Sequence, residues 1–159
     1  MLEGRTIIVF GIEHYNPLGI IRSLGEQGIH PVFIAIPGRA DVASASKYVA
    51  KCHRVKDYVE GCQLLLEEFP ADNLPIVITS DDEQVGYMDE HYDDFAGKFI
   101  FFNAGKNGGI TEYMDKFNIL ELAKKNGLNT LEAVSVKSMQ VKDKKAKVQL
   151  EYQSVADYR

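Results

Sequence analysis

Two short stretches carry residue types that can meet a ligand. The first, GIEHYNP (11–17), sets a carboxylate, an imidazole and a phenol side by side in Glu13, His14 and Tyr15, with Asn16 and Pro17 following. Glu13 can accept from an ammonium group or a sugar hydroxyl, and His14 can donate or accept near neutral pH. Gly11 permits a sharp turn at the end of a strand. Asn16 suits a helix N-cap with Pro17 at the first helical position, so the amides that follow favour an anionic group. The second stretch, TSDDE (79–83), presents Thr79, Ser80 and Asp81 ahead of two further acids. Ser80 and Glu83 have capping-box spacing, and acids in a first helical turn complement the helix dipole, which accounts for this motif without any ligand. Adjacent carboxylates also suit Mg²⁺, but that ion leans on phosphates to complete its shell, and no clear phosphate-binding motif accompanies them.

A third loop, FFNAGKNGGI (101–110), is rich in glycine and asparagine. It can cradle a phosphate with backbone amides and Lys106, but it lacks the GKS or GKT of a P-loop and reads more simply as a connector. Gly11 and Gly19 stand too far apart for a dinucleotide fingerprint. His14, His30, His53 and His91 are scattered without metal-ligand spacing, and no Ser-His-Asp or Cys-His arrangement is visible. No catalytic residue and no metal site is therefore assigned. The expected substrate-binding set is Glu13, His14, Tyr15, Asn16, Thr79, Ser80 and Asp81.

The elements that position these loops alternate along the chain. TIIVF (6–10), PVFIAI (31–36), CHRV (52–55), PIVIT (75–79) and KFIFF (98–102) are short, mostly apolar runs. Continuous rather than alternating apolar character fits strands covered on both faces of a parallel sheet. Between them lie helical stripes: Leu18, Ile21, Leu24 and Gly28; Cys62, Leu65, Leu66 and Phe69; Val85, Met88, Tyr92 and Phe95. Gly28 can close the first helix, and Asp57 with Glu60 has capping-box spacing before the second. The pattern predicts an α/β fold: a doubly wound, mainly parallel five-stranded sheet with helices on both faces, over 1–110. A connecting helix follows at 111–132, running from Thr111 to Asn126 and ended by Gly127. Residues 133–159 read as a β-rich extension, with AVSV (133–136) extended and a hairpin around the polar turn DKKAK. With strand order 3-2-1-4-5, the loops after strands 1 and 4 share the crevice where the order reverses. That shared crevice is the reason to single out GIEHYNP and TSDDE.

At 159 residues, with 26% charged and 45% hydrophobic composition, the chain can bury a core without disulfides. Its net charge of −5 argues against general affinity for nucleic acid or an anionic membrane. Residues 137–147 nevertheless hold five lysines and one aspartate, which reads as a solvated turn. Cys52 and Cys62 form no CxxC pattern and suit free thiols in a reducing cytosol. The start of the chain has no signal-peptide pattern, and no run approaches the ~20 apolar residues of a membrane helix. The expected location is the cytoplasm.

GIEHYNPLGIIRSLGEQGI (11–29), SKYV (46–49), ITSDDE (78–83) and YMDKFNILELAKKNGLNT (113–130) together resemble, in order and spacing, the N-terminal pre-ATP-grasp domain of ATP-grasp ligases, nearest to carboxylate–amine ligase-like members. The resemblance covers about residues 5–132. It implies that full-length members bind ATP and Mg²⁺ in a later module, phosphorylate a carboxylate to an acylphosphate and let an amine displace phosphate. The first domain then contributes part of the substrate site through the loops after its first and fourth strands. In some relatives a loop acid, at the place of Glu13 and His14, holds a substrate amino group. The helix bearing Asp115-Lys116 leads into the ATP-binding module in that superfamily. The lysines that would hold ATP and the late acid and asparagine that would hold Mg²⁺ do not follow Thr130, so this chain by itself is expected to hold no cofactor and to catalyse nothing. The partner implied is a small carboxylate or amine, an amino acid among them. Two other classes remain open at this point: a free-standing Rossmann-like nucleotide or metabolite binder, and a non-catalytic domain that forms a homodimer through an edge strand or the C-terminal hairpin.

Overall fold

The computed structural model describes residues 4–130. The expected strand at 133–136, the hairpin and the lysine cluster at 137–147 lie outside the described residues. The fold is α/β, with a four-stranded sheet in the order β3-β2-β1-β4. The strands are β1 (Ile7–Ile12), β2 (Val32–Ile36), β3 (Lys51–Arg54) and β4 (Ile76–Thr79). Every pairing is parallel, with Val9 opposite Phe33 on one side of β1 and opposite Ile78 on the other. Strand order thus reverses between β1 and β4.

Successive residues of β1 feed two separate cores, as period-2 alternation requires. Val9 joins Phe33, Ala35, Ala43 and Ile21 of helix α1 (Tyr15–Glu26). Ile8 and Phe10 join Ile34, with Cys62 and Leu65 of α2 (Tyr58–Glu68) and Met88 of α3 (Asp82–Glu90). Burying each large apolar side chain of this kind contributes about 2 kcal/mol. The connection between β2 and β3 contains no helix. Residues 37–50 are small and lack apolar periodicity, and they cover their part of the α1 face with Ala43, Tyr48 and Val49.

Helix ends match the sequence in two places. Gly28 has φ +77°, and the N–H groups of Gly28 and Ile29 donate to the carbonyls of Gly25 and Leu24, closing α1. Asp57 caps α2 by accepting from the Glu60 N–H at 2.9 Å, and Glu60 accepts from Lys56 N–H at 2.7 Å.

Three expectations are corrected. The fifth strand at 98–102 shrinks to one parallel bridge, Ile76 with Ile100. Its hydrogen bonds are diverted at both ends: the N–H groups of Lys98 and Phe99 donate back to Phe95, in the short helix α4 (Tyr92–Phe95), and the Asn103 amide donates to the Phe101 carbonyl at 2.7 Å. The single helix at 111–126 is two, α5 (Thr111–Met114) and α6 (Lys116–Lys125). Asp115 breaks it because its side chain accepts from the N–H groups of Phe117 and Asn118, starting a new N-terminus. Asn16 is not the cap of α1; His14 is, through Nδ1, which accepts from Asn16 N–H at 3.1 Å. No helix among the described residues is long and apolar enough to cross a membrane.

Candidate functional site

The loops after β1 and β4 meet at the carboxyl edge of the sheet. β1 runs on to Ile12, two residues beyond the expected strand end, so Gly11 lies in the strand rather than in a turn. A Cβ at Gly11 would collide with the Ser80 hydroxyl and press on Asp81. Close approach, not backbone freedom, is what needs glycine there. Ser80 also stays extended, its N–H donating to the Phe10 carbonyl at 3.1 Å, so α3 begins one residue later than the Ser80–Glu83 spacing suggests. Asp81 is the N-cap of α3, without a side-chain capping bond.

Freed from capping, the Asp81 carboxylate stitches the two loops together. Its Oδ2 accepts from the Ile12 N–H at 2.9 Å and from the Ser80 hydroxyl at 2.7 Å. Its Oδ1 stands 3.5 Å from His14 Nε2, long for a hydrogen bond but within ion-pair range. Because His14 Nδ1 accepts from a backbone amide, Nε2 carries the ring hydrogen that faces Asp81. Both ring nitrogens are engaged, and the imidazole keeps no free lone pair for general-base work.

The structure sorts the remaining expected residues. Tyr15 is 77% exposed on the first turn of α1, and Asn16 is exposed beside it. Thr79 and Ser80 are half-buried at the end of β4. Glu13 is fully buried, and its carboxylate accepts from the Ala43 N–H at 2.9 Å and the Ser44 N–H at 3.1 Å. It clasps the 37–50 connection instead of facing the lip. The glycine-rich loop behaves alike: Ile110 and Thr111 N–H groups donate to the buried Asp89 carboxylate, and Lys106 lies 3.6 Å from Glu112. The amides of Gly105, Gly108, Gly109 and Ile110 all donate within the protein and Lys106 faces an acid, so this part of the loop is committed to its own structure. Among the described residues no group of three or more His, Cys, Asp or Glu side chains is placed to hold a metal ion.

Gly11→Ala is expected to destabilise the fold by about 1–3 kcal/mol, since the new methyl displaces Ser80 and strains the Asp81 stitch. A urea midpoint equal to that of the parent protein would contradict this.

No protein-family model, curated protein or solved structure matches the chain.

Proposed function

We propose that the chain is the substrate-side N-terminal domain of an ATP-dependent carboxylate–amine ligase of the ATP-grasp type, working with a module that follows it. One observation carries the reading: the β1–α1 and β4–α3 loops converge through Asp81 at the point where strand order reverses, which is where open α/β sheets bind ligands. In this reading the sheet is doubly wound, with helices on both of its faces. His14, Tyr15, Asn16, Thr79 and Asp81 receive a small carboxylate or amine, and Glu13 positions the neighbouring loop. Helices α5 and α6 leave Tyr113, Met114, Phe117, Ile119 and Leu122 exposed, which suits elements that lead into a further packed module.

In this reading ATP and Mg²⁺ are held by the module that follows; among the described residues no group of three or more His, Cys, Asp or Glu side chains is placed to hold a metal ion. On this reading ligation needs both parts. The test supplies ATP, Mg²⁺, amino acids and small carboxylates to the 159-residue chain and to the product of its whole reading frame, reading ADP release. Release from the longer product alone is expected, with kcat/KM lowered about ten- to a hundredfold by Asp81→Asn. A whole reading frame that adds no ATP-binding module, or a longer product without substrate-dependent ADP release, would overturn the reading.

A further inference from the structure

A hollow lies away from the lip. It lies on the edge strand β3, beneath the 41–45 segment, with a volume of about 500 Å³, and is lined by Asp41, Ser44, Ala45, Cys52 and Arg54. Its polar groups contact one another. Arg54 NH1 stands 3.1 Å from Asp41 Oδ2, and Arg54 NH2 donates to the Ser44 hydroxyl at 3.2 Å. Ser44 is fixed in turn by its backbone N–H on the buried Glu13 carboxylate. A guanidinium has five N–H donors in a rigid fork, so most of its donors remain open. Asp41 keeps Oδ1 unengaged among the described residues.

We propose that this hollow binds a free α-amino acid, its carboxylate on Arg54 and its ammonium on Asp41. The protein's own ion pair need not open, because the ligand completes a cycle of alternating charges. A simple carboxylate would place a second anion beside Asp41, and a simple amine a second cation beside Arg54; only the zwitterion avoids both repulsions. Ala45 and the Cys52 thiol leave the amino acid's side chain a small, weakly polar wall. The site uses no residue of the lip and does not depend on the ligase reading.

Cys52 reports occupancy. It is half-buried in the hollow, where burial pushes its thiol upward too, whereas Cys62 is fully buried and its thiol is pushed up to about 12, which makes Cys62 the less reactive of the two. Alkylation of Cys52 by N-ethylmaleimide in the full chain is followed by peptide mass spectrometry. Each common α-amino acid is tested beside its decarboxylated amine and its desamino acid. At least one amino acid is expected to slow Cys52 labelling about tenfold at ten times its dissociation constant, with neither analogue protecting. Arg54→Leu and Asp41→Asn, both at exposed positions, are each expected to abolish the protection while leaving the far-UV circular dichroism unchanged. If one variant misfolds, the other carries the same test. No protection by any amino acid, equal protection by an amine or an acid, or protection that persists in a folded variant would overturn the assignment.

Discussion

Glu13→Ala is expected to lower the unfolding free energy by about 3 kcal/mol and the melting temperature by roughly 10 °C. The side chain is fully buried, yet it is held by two backbone amides, of Ala43 and Ser44, rather than by a cation. Truncation leaves both donors without their acceptor, the Ala43 amide in a buried setting and the Ser44 amide in a half-buried one, and an unsatisfied buried donor costs about 1–3 kcal/mol. Glu13→Gln keeps the volume and one acceptor but turns an amide NH₂ toward backbone N–H groups, so a loss of about 2 kcal/mol is expected. The damage should be directional. Asp41, Ser44 and Ala45 line the hollow on β3 beside Cys52, so releasing Ala43 and Ser44 should expose Cys52 and speed its alkylation. Urea midpoints measure the first effect and thiol labelling the second. A variant with parental midpoint and parental Cys52 reactivity would show that the clasp is not what holds this segment.

Glu13 also marks where sequence reasoning stops. A glutamate next to His14 and Tyr15 in a loop reads as ligand-facing because its partners are invisible: they are backbone amides thirty residues away, and any residue type could supply them. The sheet is far more legible. Short, mostly apolar runs mark all four strands, and the order 3-2-1-4 brings GIEHYNP and TSDDE to one edge of the sheet, where the structure joins them through Asp81 and the Ile12 N–H. Local hydrogen-bond competition blurred the rest. Asn103 and Phe95 draw the 98–102 backbone away from β4, and Asp115 interrupts an otherwise helical run by capping within it. Ser80 looked like a cap, but its backbone still follows β1 and its hydroxyl serves Asp81 instead. Asp89 was missed altogether, hidden among the acids of α3. A signal for it existed: α5 starts after Ile110, which has no side-chain acceptor, so the amides there needed one from elsewhere.

Asp89→Asn is accordingly expected to cost about 2–3 kcal/mol at neutral pH, and the cost should fade in acid. Burial pushes the Asp89 carboxyl upward, but the N–H groups of Thr111 and Ile110 outweigh it and hold the group below its ordinary value. The folded state thus prefers the ionised form more strongly than the unfolded chain does. Its stabilisation is complete above the unfolded value of about 3.9 and is lost as pH falls through the lower folded value. An asparagine at this position has nothing to titrate. The gap between parent and variant in urea midpoints should therefore be widest near neutrality and narrow below about pH 4. The same carboxylate also tethers the segment entering α5, whose Gly108 N–H donates to the Asp89 carbonyl at 2.9 Å. Faster amide exchange at Ile110 and Thr111 than at residues of β1 should accompany the substitution, because the tether fails locally before the sheet does. A pH-independent gap would mean that the ionised form of Asp89 is not what holds this turn.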